Sequence, residues 1–191
     1  MSSPFEFVRE WGMPLQSLAF HDPRPLLPAA TISFLHYAGV PKWFELTTSQ
    51  TTRFDFLSTA INLTEVWNKE MSEYSLPVAW AGLWRIGDIT YTQANAWLCI
   101  EEVTGRVVAV DVEINTPVYP VNGSVEGMMR CMKLIRDWAQ SAGGSLARAG
   151  SLETAIARSP NLPAGEASYF WQPLIAEATE SRCDTLVVEY E

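Results

Sequence analysis

His21 and His36 are the only histidines in the chain. General acid–base chemistry near neutral pH most often uses an imidazole, and a Ser–His–Asp arrangement would have to recruit one of these two. No GxSxG turn presents a serine for such a base. His36 reads as a helix-face residue, and His21 lies among loop prolines. Their spacing matches no zinc motif, and no EF-hand loop is present, so no metal is expected. Neither GxxxxGK[ST] nor GxGxxG occurs, and Gly143–Gly144–Ser145 reads as a helix stop rather than a phosphate cradle. No catalytic residue and no cofactor is expected.

Cys99, Cys131 and Cys183 are odd in number, far apart and outside any CxxC. That argues against a disulfide framework and for a reducing compartment. Cys99 stands between Leu98 and Ile100 in a strand, and Cys131 lies mid-helix, so both read as buried, inert thiols. The carboxylates are the more informative group. Asp88, Glu101, Glu102, Asp111 and Glu113 fall on neighbouring strands, where they form either a solvated sheet face or an acidic patch for a basic partner. A catalytic reading would need an acidic cleft holding a carboxylate of raised pKa. Of the eight tryptophans, Trp97 and Trp138 read as core. Trp43, Trp67, Trp80, Trp84 and Trp171 fall near element ends, where an exposed one could anchor a protein interface.

Several elements must position these groups. Residues 28–38 read as a helix, with Pro28 in its first turn and Gly39 with Pro41 as its stop. RFDFL at 53–57 alternates like a weak strand. Residues 81–89 and 96–102 read as strands, and 106–114 as a half-buried strand with Val108, Val110, Val112 and Ile114 on one side. Thr104–Gly105 joins the last two as a tight hairpin. Asn122 or Ser124 can cap the following helix, whose stripe is Val125, Met128, Met132, Ile135 and Ala139, with Arg130, Lys133, Arg136 and Asp137 on the solvated side. A last helix is expected within 166–181, followed by an apolar–acidic tail. Helix, strands with a hairpin, then helices make an α+β domain with an antiparallel or mixed sheet flanked by helices.

The 191 residues suit one domain. With 48% apolar and 18% charged residues, the chain can build a core and is not disordered. Its net charge of −9 argues against nucleic acid and anionic membrane as partners and is compatible with a basic protein. Charge is unevenly spread: residues 121–150 carry four bases against two acids, whereas 151–191 carry seven acids against two bases. Residues 1–11 lack the apolar core of a signal peptide, and no apolar run reaches the ~18 residues of a membrane span, so the expected location is cytoplasmic.

Leu35–x–x–x–Gly39–Val40–Pro41, Ile86–Gly87–Asp88 with Trp97–Leu98–Cys99–Ile100, and Thr104–Gly105–Arg106–Val107 stand in that order. Val121–Asn122–Gly123–Ser124–Val125–Glu126 and Phe170–Trp171 follow. Together they resemble the SUKH superfamily, and within it the SUKH-4 immunity proteins, over roughly residues 27–180. The chain departs from that pattern in having Met128–Met129 where an aromatic is usual and a longer 143–163 segment. On this resemblance residues 27–191 form the SUKH-like domain and 1–26 an N-terminal extension. The resemblance implies an immunity protein that binds and neutralises a cognate toxin, often a nuclease or deaminase. The alternative within the fold is a regulatory or scaffolding adaptor. From charge and position, the expected contacts are Glu45, Asp88, Glu101, Glu102 and Glu113, with Trp43 or Trp84 as the apolar anchor.

Overall fold

The structure, a computed structural model, describes residues 3–20, 26–47, 51–70, 76–90, 95–111, 118–140, 154, 156, 158 and 170–175. The elements are α1 (Pro4–Trp11), β1 (Ala19–Phe20), α2 (Ala29–Tyr37), β2 (Trp43–Thr47), β3 (Thr51–Asn62) and α3 (Leu63–Glu70). A 3-10 turn (Val78–Trp80), β4 (Leu83–Thr90), β5 (Asn95–Glu101), β6 (Val107–Asp111), β7 (Val118–Asn122) and α4 (Val125–Gln140) follow. Among the described residues, seven strands make one sheet in the order β1-β3-β4-β5-β6-β7, with β2 also paired to β3. The short β1–β3 pair is parallel and the other pairs are antiparallel. This is the expected α+β architecture with a mixed sheet.

The hairpin forms as its sequence dictates. Gly105 takes φ +71°, a left-handed conformation that only glycine adopts without strain, and the Glu101 N–H donates to the Arg106 carbonyl across the turn. RFDFL belongs to a longer strand than its weak alternation implied, the 12-residue β3. Its Phe54 and Phe56 are buried while Arg53 and Asp55 point to the other face.

The main core lies between one sheet face and α1, α2, α4 and the helical segment 170–175. α4 buries Val125, Met128, Met132 and Ile135 there, and Ser124 is its cap, accepting from the Gly127 N–H at 3.0 Å. Arg136 departs from the expected solvated side. It is 5% exposed, lies over the Trp11 ring and donates to the Trp11 carbonyl oxygen at 3.0 Å. α1 explains this. Ser3 and Glu6 form a capping box at its start, and Phe7 and Trp11 enter the main core, so Trp11 supplies both the aromatic face and the acceptor that Arg136 uses. Leu18 joins the same core, so residues N-terminal to position 27 contribute to it directly. The segment 170–175 is fastened by Trp171, whose Nε1 donates to the Asn122 side-chain oxygen at 3.0 Å and the Val121 carbonyl at 3.1 Å.

The second face also carries a core. β6 was expected to be half-buried, but Val107 and Ala109 meet the main core while Val108 and Val110 meet a second cluster. α3 and the 3-10 turn supply Leu63, Trp67 and Trp80 to that cluster, packed with Leu83, Trp97 and Cys99. The mixed pattern of 42–70 hid the helix that covers this side. The Gly143–Gly144 stop, the rest of the expected last helix, the tail, His21 and Cys183 lie outside the described residues.

A candidate partner-binding face

Apolar cover on the second face ends near Trp97, and charged side chains begin there. Cross-strand register places Trp43, Asp55, Asp88 and Trp97 in one row over β2, β3, β4 and β5. The adjoining row is Glu45, Arg53, Thr90 and Asn95. Two similar sets result. In one, Arg53 lies 5.1 Å from the Trp43 ring centre, donates to both Asp55 carboxylate oxygens at 2.9 Å, and reaches Glu45 at 3.7 Å. In the other, Arg85 lies 4.9 Å from the Trp97 ring and grips Asp88 at 2.8–3.1 Å. The tryptophan faces attract the guanidiniums, and the carboxylates fix their planes. The Asp55 hydrogen bond raises the Arg53 pKa further above its ordinary value.

The second set depends on an irregularity. On a regular strand, residues three apart point to opposite faces. A register shift between Arg85 and Gly87 puts Arg85 and Asp88 on the same side. Gly87 has its own role here, because a methyl group at that position would run into the Asp55 carbonyl oxygen. Its bare backbone lets β3 come close enough to β4 for Asp55 and Asp88 to stand directly opposite one another.

Of the residues the sequence nominated, Trp43, Glu45 and Asp88 meet on this face. Glu101 and Glu102 sit at the opposite end of β4, where Glu101 pairs with Leu83, about 16 Å along the strand from Asp88 at ~3.3 Å per residue. There Glu101 accepts from Arg106 at 2.8 and 2.9 Å and from the Thr104 hydroxyl at 2.6 Å. The Arg106 hydrogen bond, aided by Thr104, holds its carboxyl below the ordinary range despite partial burial. Glu102 accepts from the Leu26 N–H at 3.1 Å. Trp84 is 1% exposed, turned into the main core against Phe20, so it is a packing residue rather than an exposed anchor. Glu113 lies outside the described residues.

Arg53, Asp55, Arg85 and Trp97 are the members that the sequence did not nominate for this face. The R-F-D-F alternation at 53–56 carried a signal for the first two; the bulge concealed Arg85. Elsewhere, Cys99 and Cys131 are buried cysteines outside any disulfide, and burial raises the Cys99 pKa. His36 is exposed and packs edge-on against Tyr37. Among the described residues no group of three or more His, Cys, Asp or Glu could hold a metal, and no helix is long and apolar enough to cross a membrane. The chain matches the sequence model of one family, described as SUKH-4 immunity protein, over residues 19–158, which takes in strands β1 to β7 and helices α2 to α4. No curated protein and no solved structure matches it.

Proposed function

The chain belongs to the SUKH-4 immunity protein family, and from that premise we propose that it neutralises a cognate bacterial toxin by binding it stoichiometrically in the cytoplasm. The family match carries this reading. The partner is a basic protein, as toxins that act on nucleic acid, such as nucleases and deaminases, tend to be. A net charge of −9 speeds encounter with such a partner and disfavours nucleic acid as a competing ligand. Neutralisation comes from occlusion, with no catalytic step. Two regions offer the nominated acids, the Trp43–Glu45–Asp88 face and the Glu101–Glu102 corner.

Co-expression with the product of the neighbouring gene tests the reading. The expected result is a one-to-one complex that restores growth to cells carrying the toxin and that weakens as salt rises. Absence of both complex and rescue would refute it and favour a scaffolding adaptor of the same fold.

A further inference from the structure

Three chain segments meet beside the Thr104–Gly105 turn. The Glu102 N–H donates to the Gly82 carbonyl oxygen at 2.8 Å, and one Glu102 carboxylate oxygen accepts from the Leu26 N–H at 3.1 Å. A methyl group placed on Gly82 would stand 3.4 Å from the other oxygen. Val78 opens the 3-10 turn just before Gly82, and Val103 follows Glu102 in the chain. This corner has a rigid base. Gly105 lies so close to α2 that an added methyl would come within 2.6 Å of the Thr31 hydroxyl oxygen, and Glu101, Thr104 and Arg106 tie the turn together.

Leu26, Val78 and Val103 are 73%, 92% and 81% exposed. Among the described residues they are the exposed large aliphatics, the other large apolar side chains in water being the aromatics Phe5, Tyr37 and Tyr119. A single exposed apolar side chain is ordinary, but three on segments that meet at one locked turn make a protruding apolar patch of the kind protein contacts use. Glu102 supplies the charge beside it. Asp55, Asp88 and Glu101 are each held by an arginine, whereas among the described residues no lysine or arginine pairs with Glu102, which takes a backbone N–H instead. A carboxylate left unneutralised amid aliphatic side chains is complementary to a lysine or arginine set in an apolar surface and repels an acidic one. The net charge of −9 acts in the same direction.

We infer that this corner, Leu26, Val78 and Val103 beside Glu102, is the surface through which the chain docks the toxin, against an apolar patch that carries a lysine or arginine. The assignment rests on the immunity reading above and narrows it to one of the two regions named there. The aliphatics supply most of the affinity, and Glu102 selects the charge of the surface that covers them.

The probe is the product of the neighbouring gene, with binding to the full chain measured for wild type, Leu26→Ala/Val103→Ala, Val103→Lys, Glu102→Gln and Asp55→Asn/Asp88→Asn. The expected result is a loss of at least about tenfold in affinity for the alanine pair and a larger loss for Val103→Lys, which sets a cation beside Glu102. Glu102→Gln keeps an acceptor for the Leu26 N–H, so it should lose about threefold or more together with part of the salt dependence. Asp55→Asn/Asp88→Asn should stay within about threefold of wild type. If a change at Leu26 or Val103 prevents folding by circular dichroism, the nearly isosteric Glu102→Gln decides. Wild-type affinity in the alanine pair and in Val103→Lys, or a loss confined to Asp55→Asn/Asp88→Asn, would overturn the corner while leaving the immunity reading intact. Failure of the wild-type chain to bind at all would overturn both.

Discussion

On the face turned toward α1, α2 and α4, Phe54, Ile89, Leu98, Ala109 and Val121 are sealed from solvent, and the packing continues across the sheet. On the opposite face the same strands bury Cys99, Val108 and Val110 under α3, then give way within one row to Asp88, Asp55 and Trp43. The strands are shared, so backbone pairing cannot account for the difference. What differs is which residues the alternation delivers to each side and whether a helix covers them. The first face uses its whole area for stability. The second uses only part, and the rest is held by ion pairs that contribute little to folding at such exposure. Ordered surface that returns little stability is available for recognition by a partner, and the exposed aliphatics of the hairpin corner are a further case.

The comparison breaks most visibly at the tryptophans. Trp84→Ala, on the first face, should cost about 3–5 kcal/mol of stability, whereas Trp43→Ala should cost no more than about 1 kcal/mol. Urea unfolding of both variants checks this, and equal losses would erase the distinction between the faces. Gly87→Ala should come next, at about 1–3 kcal/mol, since the new methyl must push β3 away from β4. Its thermal midpoint should fall even though no side-chain contact is removed.

Asn122→Ala should cost a similar or smaller amount, about 1–3 kcal/mol, because it removes one acceptor of the buried Trp171 N–H. The lost fixing of segment 170–175 should appear as faster protease cleavage near residue 170. Arg53→Gln should change stability by less than about 1 kcal/mol, as befits an exposed pair.

The smallest effect belongs to Glu101→Gln, and it depends on pH. The folded-state pKa of Glu101 lies below its ordinary value, so ionised Glu101 stabilises the fold above the unfolded-state value of ~4.3. That gain disappears as pH falls through the lowered folded value. The stability gap between wild type and variant, at most about 1 kcal/mol at neutral pH, should therefore close on acidification. Unfolding curves at several pH values check this, and a gap that persists or widens in acid would contradict it.

Much of the fold is written locally. The Thr104–Gly105 turn, the α4 stripe with its Ser124 cap and the α2 helix all follow from spacing and from residues with one conformational use. What escaped was set by tertiary contact. α1 is short and charged, and its reason to exist is the pocket that receives Phe7 and Trp11. β6 looks one-sided until α3 covers its other side. The candidate face shows the same division. Trp43, Glu45 and Asp88 were nominated from type and position, but their partners Arg53, Asp55 and Arg85 depend on strand register and on one bulge. Trp84 and Asp88 were nominated together on one strand, yet Trp84 faces the main core and Asp88 the second face.

The most direct test of how the partner is bound is amide hydrogen exchange of the chain alone and with the product of the neighbouring gene. Added protection is predicted in the 101–106 hairpin, at Leu26 and over Val78–Gly82, with Trp43–Glu45 and Arg53–Asp55 unchanged. Protection confined to β2 and the facing end of β3, or to the helices over the main core, would contradict it.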